Sequence, residues 1–133
     1  MLVDTSFILP LFGIDTGYKE ILKKDIVISP LSLIEAKFIT LRMLKKTGNR
    51  RFLDRYVEGL AVIRLRYKLT ELTNPGIEML ADELIDKLND YFDRTLVATA
   101  MYYGYEFVTL DREIISLRDK IENVEIVHPD DIK

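Results

Sequence analysis

Four carboxylates punctuate this 133-residue chain, each beside an apolar stretch: Asp4 after Leu2-Val3, Glu35 after Leu33-Ile34, Asp93 before Leu96-Val97-Ala98, and Asp111 after Val108-Thr109-Leu110. Acids gathered at one place repel unless a cation joins them, and an all-oxygen set suits a hard divalent ion such as Mg²⁺ or Mn²⁺. The rest of the composition points the same way. There is no cysteine, which excludes disulfides, thiol nucleophiles and thiolate zinc sites. The single histidine, His128, rules out a histidine-cluster metal site and reads as incidental in the tail before Pro129. The chemistry within reach is therefore hydrolysis by a metal-activated water, with no protein nucleophile.

Those acids need elements to bring them together. Asp93 to Tyr103 favours helix, Gly104 supplies the left-handed residue that commonly ends one, and Glu106 to Leu110 reads as a short apolar strand. The helix rises about 16 Å, and the strand returns by about 16 Å. Asp93 and Asp111 are thus expected at one edge, where ligands bind in open α/β sheets. Further strands are expected near 2–4, 26–28, 63–68 and 124–127. The 63–68 strand is read from alternation of Ile63, Leu65 and Tyr67 with Arg64, Arg66 and Lys68, as a half-exposed edge strand. Ser29-Pro30 opens a helix running to Gly48, and Asn49 to Leu60 forms a second, basic one. Asn74-Pro75 starts another, with Ile77, Leu80, Ala81, Leu84 and Leu88 as its apolar stripe. Short helical segments are expected around Phe7–Phe12, Tyr18–Lys24 and Arg112–Lys120. The class is α/β, one domain over 1–133, with a mainly parallel sheet and helices on both faces.

In such a sheet Asp4, Glu35, Asp93 and Asp111 all fall at the edge where strands end and helices begin. A competing role exists for each, since acids favour helix N-termini as caps. Ser32 and Glu35 even have capping-box spacing. Yet Thr5, Ser6 and Ser29 could cap without Asp4 or Glu35, and a carboxylate beside an apolar strand is costly unless its charge is used. Asp90, one turn before Asp93, leaves open which of the two turns toward the other acids.

Charge is distributed unevenly. The net charge is −3, yet Arg42 to Lys68 holds nine basic and two acidic residues, or +7, leaving −10 for the remainder. A basic segment on an acidic body marks either an anion-binding face, with Arg50, Arg51 and Arg55 as candidates, or a solvated helix surface. Arg94 and Arg112 follow two of the acids directly and can either meet phosphate or neutralise their neighbours. No apolar run reaches the roughly 18 residues that span a bilayer, and no basic leader precedes Leu2, so a cytoplasmic protein without a membrane partner is expected.

The ordered set LVDTS at 2–6, Glu35 after SPLSLI, DRTLVATA at 93–100 and VTLD at 108–111 resembles the PIN-domain family, and in length its VapC-like members. The resemblance spans nearly the whole chain. It implies a three-layer sandwich with a five-stranded sheet ordered 3-2-1-4-5. Its metal-binding acids carry over onto Asp4, Glu35, Asp93 and Asp111. Its supporting hydroxyls would be Thr109 and either Thr5 or Ser6. The activity implied is Mg²⁺- or Mn²⁺-dependent endoribonuclease cleavage of RNA, often as a toxin restrained by an antitoxin and often as a homodimer. Two alternatives stay open, a PIN nuclease of RNA maturation and a catalytically silent PIN binding module.

Overall fold

A computed structural model describes residues 1–132. Five very short strands pair in parallel in the order β3-β2-β1-β4-β5: β1 Leu2–Val3, β2 Val27–Ile28, β3 Lys68–Leu69, β4 Phe107–Val108 and β5 Ile126–Val127. Leu2 registers with Val27 on one side and Phe107 on the other, which puts β1 at the centre. Period two holds even in two-residue strands. Leu2, Val27, Phe107 and Ile126 face one core layer with Leu96, Val97 and Leu88. Val3, Ile28 and Val108 face the other with Phe7, Phe12, Tyr56 and Ile63. Helices therefore cover both faces, as expected for strands this apolar.

The helices are α1 Pro30–Thr47, α2 Arg51–Arg66, α3 Pro75–Asp82, α4 Tyr91–Tyr103 and α5 Arg112–Ser116. The expected stops and starts are in place. Ser29 caps α1 through Leu31 N–H with Pro30 in the first turn, Gly48 ends it at φ 69°, and Asn74 caps α3. Gly104 ends α4 in the left-handed conformation at φ 74°, so the chain turns straight back into β4. Residues 5–7, 9–12 and 19–23 form 3₁₀ turns. The stripe after Asn74 leaves the α-helix at Asp82, although Leu84 and Leu88 remain buried.

One expectation is overturned. Residues 63–66 are the last turn of α2, and the edge strand begins only at Lys68. The buried positions Tyr56, Gly59 and Ile63 recur at spacings of three and four, which is one helix face. Leu65 points to solvent at 86% exposure, so the Ile-Arg-Leu-Arg alternation was not an in–out pattern. Gly59 is what lets this helix close on the core. A Cβ there would lie 2.4 Å from the Phe12 ring and 2.7 Å from the Leu11 carbonyl oxygen. Phe12 in turn stacks on Tyr56, 4.8 Å between ring centres.

Candidate functional site

Parallel strands send every C-terminal end to one edge, and there a cleft of about 390 Å³ opens. Asp4, Thr5, Ser6, Glu35, Asp93 and Asp111 line it, together with Ile39, Arg42, Leu96 and Leu110. Each acid arrives by its own route. Asp4 follows β1 directly, its N–H bonded to the Val108 carbonyl at 3.1 Å. Glu35 is carried on the second turn of α1 and Asp93 on the first turn of α4. Asp111 lies beyond β4 and caps α5.

Hydroxyl groups tie the acids together. Thr109, fully buried, donates its hydroxyl to Asp4 Oδ2 at 2.5 Å and accepts the Asp111 N–H at 3.0 Å. Thr5 donates its hydroxyl to Glu35. Ser6 contributes its backbone N–H to Asp4 Oδ1 at 3.0 Å. Asp111 Oδ1 accepts from Glu113 N–H at 2.8 Å and Ile114 N–H at 3.4 Å. Asp4 and Asp111 are thus helix caps and cleft-lining acids at once. The two roles are compatible because each carboxylate has about four acceptor positions.

The electrostatics separate Asp93 from Asp90. Burial pushes the Asp93 carboxyl up to about 7, and the charges of Asp90, Asp111, Glu35 and Asp4 add to the effect in that order. Asp90 is exposed, does not line the cleft, and accepts the Asp93 N–H at 3.1 Å as the cap of α4. Burial likewise pushes Asp4 up to about 6, against the hydrogen bonds from Thr109 and Ser6 and together with the charge of Glu35. Both acids carry their negative charge at a cost, in a place where an uncharged residue would have none.

The basic residues are distributed otherwise than expected. Arg94 donates from Nη1 to the Leu88 and Asn89 carbonyls, both at 2.9 Å, and holds the loop before α4. Arg112 is exposed outside the cleft. Arg50 and Arg51 stand exposed at the turn between α1 and α2, and Arg55 lies against Gly13. The cation on the cleft wall is Arg42, which sequence reasoning passed over. Its signal was available, since it follows Glu35 by seven residues and so shares its helix face.

Every donor the cleft offers to an ion is a carboxylate or hydroxyl oxygen, a set that fits Mg²⁺ or Mn²⁺ and no softer metal. Among the described residues no three acids are already closed into an ion-holding group. The residues that would hold an ion are Asp4, Glu35, Asp93 and Asp111.

An all-parallel sheet ordered 3-2-1-4-5, with acids from β1, α1, α4 and the end of β4 converging on one cleft, defines a class of α/β protein. The chain belongs to the PIN domain family, whose model matches residues 1–120. No curated protein sequence matches it. Solved structures with the same fold include VapBC-5 of Mycobacterium tuberculosis, a toxin–antitoxin system, at 16% identity, TM-score 0.69 and 96% coverage of both chains. A toxin–antitoxin complex from Klebsiella pneumoniae is similar at 18% identity and TM-score 0.67, again with 96% of each chain covered. FitAcB from Neisseria gonorrhoeae aligns at 14% identity and TM-score 0.68, covering 98% of this chain and 99% of that one. This chain is therefore a PIN domain that shares its fold with chains of toxin–antitoxin complexes. Among the described residues no helix is long and apolar enough to cross a membrane.

Proposed function

We propose that this protein is a Mg²⁺- or Mn²⁺-dependent endoribonuclease acting as the toxin of a toxin–antitoxin pair. The observation that carries the reading is the convergence of four acids, Asp4, Glu35, Asp93 and Asp111, on one cleft, two of them, Asp4 and Asp93, held above the ordinary carboxylate range by burial. A divalent ion bound there would supply an activated water and neutralise charge on a phosphodiester. The chain's own residues do the rest. Asp4, Asp93 and Asp111 present carboxylate oxygens to the cleft. Thr109 fixes the orientation of Asp4 and joins it to the backbone of Asp111. Thr5 holds Glu35, the acid that would bind an ion through water or orient the attacking hydroxide. Arg42 offers a positive charge to substrate phosphate on the same wall.

The antitoxin partner is proposed from the toxin–antitoxin complexes among the structural neighbours. A homodimer is proposed as the resemblance to the PIN-domain family implies. The test is cleavage of RNA by the purified protein with Mn²⁺, with fragment ends sequenced and Asp4→Asn as control. Discrete 5′ ends that vanish in the control are expected. Intact RNA with wild type under these conditions would overturn the nuclease reading.

A further inference from the structure

Asp93 reaches the cleft from the first turn of α4. A first turn is the least anchored part of a helix, because its N–H groups lack intrahelical acceptors. Asp93 also shares the cleft with three other acids, whose repulsion pushes that turn outward. Two local devices oppose this, the Asp90 cap on the Asp93 N–H and the bonds from Arg94 to the Leu88 and Asn89 carbonyls. Both act within residues 88–94, so neither ties the turn to another helix. That tie runs through Tyr91, the first residue of α4. Its hydroxyl stands 2.9 and 2.8 Å from the two carboxylate oxygens of Glu78 on α3. Thr73 donates its hydroxyl to the same carboxylate. Glu78 itself sits on a fixed base. Asn74 caps α3, and Ile77 and Ala81 pack with Ala98 of α4 in a buried cluster. At Gly76 the two helices approach so closely that a Cβ would lie 2.5 Å from the Tyr102 ring.

We propose that Tyr91 and Glu78 are positioning residues, a clamp that holds the first turn of α4 against α3 and so keeps Asp93 in place for a divalent ion. The inference rests on the nuclease reading and adds to it two residues that line no part of the cleft. Two positions apart on a helix, Tyr91 and Asp93 point about 200° from each other. One can therefore grip α3 while the other is presented to the cleft. A tyrosine placed only for its ring would turn its hydroxyl to water, whereas this one meets both oxygens of a carboxylate that Thr73 already orients. A turn docked for only part of the time binds an ion with an affinity reduced by that fraction. The clamp acts on ion affinity and hardly at all on global stability, since Tyr91 is 45% exposed and its bond to Glu78 lies in solvent.

Removing one hydroxyl tests the clamp. Tyr91→Phe, Glu78→Ala, Glu78→Gln and the double variant of Tyr91→Phe with Glu78→Ala are compared with wild type. Tyr102→Phe, a hydroxyl lost from the far end of the same helix, is the control. Mn²⁺ affinity is read from melting shifts, and exchange of the Asp93 and Arg94 amides is followed in EDTA. Tyr91→Phe should weaken Mn²⁺ binding about tenfold, the lower end for residues that orient a ligand, with metal-free melting unchanged. The double variant should bind no worse than either single one, since all three remove the same interaction. Glu78→Gln keeps an acceptor and should hold Mn²⁺ as wild type does. Amide exchange should quicken in Tyr91→Phe and not in Tyr102→Phe. In cleavage assays Tyr91→Phe should leave KM for RNA untouched and regain wild-type kcat in excess Mn²⁺. Equal Mn²⁺ affinity in Tyr91→Phe and wild type would overturn the clamp. So would a lower melting temperature with affinity intact, the mark of a purely structural staple. If Tyr91→Phe loses Mn²⁺ affinity while wild type binds the ion but cuts no RNA, the nuclease reading falls and the clamp stands. A wild type that Mn²⁺ does not stabilise would overturn both.

Discussion

Replacing Asp4 by Asn in metal-free protein tests whether the cleft acids are strained by their charge or placed only to cap helices. The Asp4 carboxyl titrates near 6 rather than at its usual 3.8, chiefly through burial. A carboxyl pKa raised on folding means that the native state holds its proton more tightly than the unfolded chain. Stability is thus full below pH 4 and lost as pH rises to about 6. Two pKa units correspond to about 3 kcal/mol lost above pH 6. Asn carries no charge and escapes that loss. Its Oδ1 can still accept the Ser6 N–H, and its amide can donate to the Thr109 oxygen, so rearranging one hydrogen bond costs about 1 kcal/mol. A net gain of about 2 kcal/mol remains, or roughly 5–8 °C for a chain of this size. Thermal melts in EDTA should show Asp4→Asn slightly below wild type at pH 4, where only the rearranged hydrogen bond counts, and above it at pH 8. Excess Mn²⁺ should reverse the order, because an ion at 100 times its Kd adds about 2.7 kcal/mol to the wild type alone. A mutant that melts below wild type by the same margin at pH 4 and pH 8, with Mn²⁺ shifting neither protein, would refute the reasoning and leave Asp4 as a cap.

Other consequences can be checked separately. Asp93→Asn should abolish RNA cleavage while Asp90→Asn keeps it, since Asn caps a helix about as well as Asp; activity assays showing the reverse order would exchange the two roles. Apparent Mn²⁺ affinity, read from melting shifts, should fall as pH drops below about 7, because protons on Asp93 and Asp4 must leave before an ion enters. A flat profile from pH 5 to 8 would argue that neither acid is a ligand. Gly59→Ala should cost about 1–3 kcal/mol in denaturant melts by forcing α2 off Phe12, and an unchanged midpoint would mean that the Phe12 ring gives way freely. Charge reversal at Arg50, Arg51 and Arg55 together should flatten the salt dependence of RNA binding; an unaltered slope would return that end of the basic segment to plain solvated surface.

Much of this architecture is written in local chemistry. Ser29-Pro30, Asn74-Pro75, Gly48 and Gly104 set helix ends through backbone hydrogen bonds and a left-handed residue, which need no distant partner. The β-branched and apolar strands signalled burial on both faces, and their alternation with helices made the sheet parallel, so Asp4, Glu35, Asp93 and Asp111 could be assigned to one edge from the chain alone. Where burial had to choose between readings, sequence was insufficient. The alternation from Ile63 to Lys68 suits a strand equally well, and only the packing of Tyr56, Gly59 and Ile63 against Phe12 makes it a helix. Asp90 and Asp93 are equivalent by spacing until α4 is docked, when one caps the helix and the other turns into the cleft. The basic segment posed the same difficulty, because charge says nothing of direction. Arg94 is spent on the Leu88 and Asn89 carbonyls, whereas Arg42 lines the cleft, for the tertiary reason that α1 lays the face bearing Glu35 along the cleft wall.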